Sequence, residues 1–100
     1  MIDFEFTFSG KLWMYHGKGA WFFITLPKKQ SKQIKTLTSH RKLGWGSVRV
    51  AATIGDTTWN TSVFPDSKAG AYLLPVKAEV RKKQQIESGH SISVRIEIKA

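Results

Sequence analysis

The chain contains no cysteine, which excludes disulfides and thiolate metal sites. Acidic residues are scarce, seven Asp and Glu against sixteen Lys and Arg, leaving a net charge of +9. No stretch approaches the ~20 apolar residues of a membrane span. Asp3 and Glu5 interrupt the only apolar run near the start, so no signal peptide is read there. These absences give the expectation of a soluble cytoplasmic protein.

Catalytic patterns are missing as well. His16, His40 and His90 lie far apart with no metal-ligand spacing, and they read as solvent or turn histidines. Gly17 and Gly19 lack the strand-to-helix context of a phosphate loop. Ser62 has no glycine-flanked elbow to make it a nucleophile. Asp56 and Asp66 stand in turns, where Asp bonds its own backbone, and Glu79 stands four residues before Lys83 as a helix-surface ion pair. The sequence therefore predicts no catalytic residue, no metal site, no cofactor and no enzyme.

What is present is alternation. Ile2, Phe4, Phe6 and Phe8 alternate with polar residues, and Leu12 and Met14 continue the same face beyond a bend at Gly10. His16–Gly19 reads as a hairpin turn, and Ala20–Leu26 as a dense apolar strand covered on both faces or nearly so. Val48, Val50, Ala52 and Ile54 alternate with polar residues up to a tight turn at Gly55-Asp56, which predicts a hairpin between Ser47–Ile54 and Thr57–Phe64. Tyr72–Leu74 is a short apolar run ending at Pro75. After Gly89, the residues Ile92, Val94, Ile96 and Ile98 form one face of a last half-buried strand.

Two helices break the alternation. Pro27 opens a segment, Lys28–Lys42, with six basic residues and no acidic one. At 100° per residue Lys28, Lys29, Lys32 and Lys35 gather opposite Ile34 and Leu37. Val76–Lys83 is the second helix, with Val76 and Val80 on one face. The same punctuation, an apolar run, Leu-Pro, a basic helix and a strand, thus occurs twice. It suggests two similar halves closing one barrel, with the first strand completing the second half. The predicted fold is mainly β, a single domain over residues 1–100: a small closed or double-split β-barrel of about six strands with two short helices.

Gly19–Phe23 with Leu26-Pro27, Trp59–Pro65, and Tyr72–Arg81 with Gly89 carry a resemblance. With them the chain resembles a family of small bacterial β-barrels known as domain-of-unknown-function family 1905. The stretch Val76–Val94 is also similar to the swapped-hairpin half of AbrB/MazE-type transcription factors, in which two chains supply the two halves. The family pattern places Asp after the glycine at 89, where this chain has His90.

Positive charge is an argument about partners. One reading is a non-enzymatic module binding nucleic acid or another anionic partner through phosphate contacts by Lys28, Lys32, Lys35, Arg41, Lys42, Arg81, Lys82 and Lys83. A second is a small-molecule or protein-interaction barrel whose mouth carries Trp45, between two glycines, with Arg49 as an anion ligand. The third is a structural domain whose charge serves solubility. The sequence leaves monomer and homodimer equally open.

Overall fold

The computed structural model describes residues 3–17, 19–38 and 46–99. Among them six strands, β1 (Asp3–His16), β2 (Ala20–Thr25), β3 (Val48–Ile54), β4 (Thr57–Asp66), β5 (Ala71–Pro75) and β6 (Ser91–Lys99), form a closed antiparallel barrel in the order β1-β2-β5-β4-β3-β6. Helix α1 (Lys28–Thr38) lies between β2 and β3 in the chain, and α2 (Ala78–Gln84) joins β5 to β6. No helix among the described residues is long and apolar enough to cross a membrane.

Alternation places the core. Ile92, Val94, Ile96 and Ile98 are all buried, as are Val48, Val50, Ala52 and Ile54 from β3. Ile34 of α1 and Val80 of α2 join the same cluster, so each helix adds an apolar side chain to the barrel interior. Phe8 is buried, while Phe4 and Phe6 pack against the core from its margin. Strand β1 pairs with β6 through Lys11 and with β2 from Leu12 onward. It changes partner beside Gly10, where a Cβ would stand 2.8 Å from Ile24 Cγ2, so only glycine lets the two strands approach this closely.

The halves suggested by the Leu-Pro punctuation exist, each with a further strand. Exchanging β1 with β4, β2 with β5 and β3 with β6 leaves every neighbour relation of the barrel intact. At the junction the hydrogen bonds are reciprocal: Leu26 N–H donates to Tyr72 O and Val76 N–H to Phe22 O, both at 2.9 Å. Leu26 is thus the counterpart of Val76. The two prolines are not equivalent, because Pro75 is still in β5 opposite Phe23 whereas Pro27 lies beyond the end of β2. Strand β1 does pair with β6 of the second half, and β4 stands in the same relation to β3.

Two local expectations change, and one contact is new. The second helix begins at Ala78, with Val76 buried before it rather than within its first turn. The strand Ala20–Leu26 is not covered on both faces, since Ile24 is fully buried but Trp21 is 55% exposed. This sheet is antiparallel, and the outer side of β2 at Trp21 is left largely open. Ser31, not singled out by its polarity, is buried and accepts the Tyr72 N–H at 3.0 Å, fastening α1 to β5.

His90 has a local task. Its Nδ1 accepts the Glu87 N–H at 3.1 Å, closing the turn before β6, and an Asp carboxylate could accept the same bond. His90→Asp should therefore leave the denaturation midpoint nearly unchanged, whereas His90→Ala should cost about 0.5–1 kcal/mol in urea unfolding. Ser31→Ala should cost more, about 1–3 kcal/mol, because it strands a buried backbone donor. Equal stability of the Ser31→Ala and parent proteins would show that another acceptor takes the Tyr72 N–H.

Candidate functional site

Helix α1 has no acidic residue in its first turn, and its exposed face carries Lys28, Lys29, Lys32 and Lys35. Lys28 and Lys32 are i,i+4 neighbours, and Lys32 and Lys35 are i,i+3. Like charges at these spacings each destabilise a helix by about 0.2–0.5 kcal/mol. On α2 the corresponding spacing holds an ion pair, with Lys83 Nζ 4.0 Å from Glu79. The lysine face of α1 has no such relief within its own helix.

These four lysines border a cleft of about 920 Å³ between α1, the β4–β5 turn and the start of β3. Ser31, Thr38, Ser47 and Tyr72 add hydroxyl groups to its lining, and Asp66 is the only carboxylate among the described lining residues. Asp66 is partly engaged, since its Oδ1 accepts the Lys68 N–H at 3.2 Å. Burial pushes the Tyr72 phenol above the ordinary tyrosine range, while a hydrogen bond with the Thr38 hydroxyl pulls it the other way. The phenol thus stays neutral beside the lysines and adds no competing negative charge.

The exchange of halves relates the helix and β5 walls of this cleft, Ser31 and Tyr72, to Arg81 and Phe22 in a second, smaller groove of about 380 Å³ beside α2, whose lining also includes Trp21, Trp59, Asn60 and Lys77. In the first cleft Ser31 binds the backbone of Tyr72. In the second, the Arg81 guanidinium lies 3.8 Å over the Phe22 ring and its Nε donates to Val76 O at 3.1 Å. Stacking and hydrogen bonding fix the plane of the guanidinium. Its Nη groups have no acceptor among the described residues.

The residues expected to bind phosphate are therefore distributed. Lys28, Lys32 and Lys35 share the larger cleft, joined by Lys29; Arg81 is in the smaller one. Lys82 and Lys83 are exposed on α2 and line neither, and Arg49 is exposed on β3 opposite Ser62 and lines neither. Arg41, Lys42, Trp45 and His40 lie outside the described residues. Sequence reasoning did not foresee Ser31 and Tyr72 as cleft residues. Ser31 sits on the Ile34 side of the helix, three residues earlier, which is the signal that could have marked it as inward-facing.

The phenol has a consequence for stability. Its folded-state pKa is raised, so above the ordinary tyrosine value of about 10 the unfolded chain ionises first and stability falls as pH rises. Denaturation midpoints measured across this alkaline range should fall less steeply for Tyr72→Phe than for the parent. Identical slopes would place the phenol in a water-like environment.

No curated protein matches the chain. The family described as Domain of unknown function (DUF1905) matches over residues 8–96, which reaches all six strands and takes in both helices, and the chain belongs to that family.

Proposed function

We propose that this protein is a non-enzymatic binding module for nucleic acid, holding the phosphate backbone in the cleft beside α1. The observation that carries this reading is the convergence of Lys28, Lys29, Lys32 and Lys35 on one hydroxyl-lined cleft, without an acidic residue on the helix that bears them. A bound polyanion relieves the repulsion along α1 and releases its own counterions. The net charge of +9 favours encounter with any polyanion, so the lysine cleft, rather than charge alone, distinguishes a site from general attraction. Two hydrogen-bonding side chains, Ser47 and Thr38, supply neutral contacts to phosphate oxygens. None of these contacts reads base identity, so the reading implies little sequence preference.

Fluorescence anisotropy with a random-sequence oligonucleotide, titrated at low and near-physiological salt, tests it. The triple substitution Lys28→Ala, Lys32→Ala, Lys35→Ala should weaken binding roughly tenfold or more at low salt. It should also flatten the log–log salt dependence by about 0.7–0.9 for each phosphate that is no longer neutralised. Affinity and slope that match the parent would remove α1 from the interface.

A further inference from the structure

The outer face of the β1–β2 hairpin is aromatic. Register pairs Trp13 with Phe23 and Tyr15 with Trp21, which places all four rings on one side of the sheet. Tyr15 is 50% and Trp21 55% exposed. The rings are held in position. Trp13 Nε1 donates to Thr25 Oγ1 at 2.9 Å. Trp21 lies nearly parallel to Phe23, 9° between planes, with centroids 6.2 Å apart, and Trp13 rests 5.3 Å from the same ring. At the hairpin tip the Tyr15 ring occupies the space a Cβ on Gly17 would need.

The other half of the barrel shows that the fold does not require this face. In the equivalent register Phe64 pairs with Leu73 and Asp66 with Ala71. The same four positions thus hold one aromatic ring there and four here. Two exposed rings contiguous with two half-buried ones form an apolar patch, the kind of surface that marks an interaction site.

Charge selects the occupant. Trp21 also walls the smaller groove, where Arg81 brings a guanidinium whose Nη groups have no acceptor among the described residues and Lys77 adds a second cation. No Asp or Glu lines that groove among the described residues. Flat rings beside a stacked guanidinium and an exposed lysine fit a ligand with π-faces and a phosphate backbone, and a second copy of a +9 chain is repelled. Bases within a duplex are already stacked on one another, so a ring reaches their faces only by prying a step apart at a cost of about a few kcal/mol, whereas unpaired bases offer them without that cost. We infer that the Trp13–Tyr15–Trp21–Phe23 face, with Arg81 and Lys77 at its edge, is a stacking platform for unpaired bases, so that the preferred ligand is single-stranded nucleic acid. This inference rests on the nucleic-acid reading of the lysine cleft and adds strand selectivity to it.

The test uses the full chain, an oligo-dT single strand and a random-sequence duplex, compared by anisotropy near physiological salt. Trp21→Ala and Tyr15→Ala should each weaken oligo-dT binding roughly five- to hundredfold, the range typical for loss of one base–aromatic stack, and leave duplex binding unchanged. Trp21→Phe keeps a ring and should recover most of the loss; circular dichroism of each variant confirms the barrel. Duplex binding that depends on the α1 lysines, together with oligo-dT binding indifferent to Trp21 and Tyr15, would overturn the platform and leave the lysine cleft standing. Failure of the parent to bind either probe would remove both. A parent dimer in sedimentation that Trp21→Ala dissociates, with oligo-dT binding unaltered, would identify the face as a self-association surface and overturn the platform.

Discussion

Everything in this barrel depends on strands borrowed across its two halves. Strand β3 finds its partners in β4 and β6, both from the second half. Strand β6 pairs with β1 and β3, both from the first. Neither half can satisfy its own backbone donors and acceptors, and an unpaired buried amide or carbonyl costs about 1–3 kcal/mol. The reciprocal bonds between Leu26 and Tyr72 and between Val76 and Phe22 lock β2 against β5 at a site where both Ile24 and Leu74 are fully buried. Truncating either side chain to Ala would remove about 2–5 kcal/mol from a domain whose total stability is of order 5–15 kcal/mol. Folding is consequently expected to be all-or-none.

That interlocking places the two helices in equivalent frames and lets their chemistry differ. Where the first half uses a serine to hold a backbone N–H of β5, the second uses an arginine stacked on a ring of β2. Where α1 leaves its lysines in mutual repulsion, α2 pairs Lys83 with Glu79. The Asp56 and Gln84 side chains add another difference: Gln84 Nε2 donates to Asp56 Oδ1 at 2.8 Å and ties the end of α2 to the β3–β4 turn. The barrel interior is closely matched between halves, and the exterior is not.

Much of the barrel was legible because period-two alternation is a strong signal. Ile92 through Ile98 and Val48 through Ile54 were readable as single faces, and Gly55-Asp56 as the tight turn joining Ile54 to Thr57. The helix at Lys28 followed from Pro27 and from Ile34 opposite the lysines. What alternation cannot report is which side of a strand lacks a covering layer. Trp21-Phe22-Phe23-Ile24 reads as uniformly apolar, although only Ile24 is fully buried. Nor does a tally of cations disclose grouping. Lys28, Lys32 and Lys35 come together because one helix carries them, while Arg81 goes to a different groove because barrel closure puts α2 beside β4 and β2. Ser31 illustrates the remaining difficulty, since its burial depends on Tyr72, 41 residues distant in sequence.

The repeated architecture supplies a physical control that a single-copy fold lacks. A property required for closure must occur in both halves, and the buried counterparts meet that condition: Leu26 with Val76, Ile24 with Leu74, Phe8 with Trp59. A property found in one half alone is not demanded by the shared topology, although it can serve packing locally, as Gly10 and Ser31 do. The α1 lysine face and the β1–β2 aromatic face are both of this kind, and both carry a local energetic cost, like-charge repulsion in one case and exposed apolar surface in the other. Residues that destabilise the chain locally without serving the fold are where selection for binding is expected to act. By that criterion Lys28, Lys32, Lys35, Tyr15 and Trp21 stand apart from Lys83, whose charge Glu79 balances, and the two unmatched faces are where function should be sought.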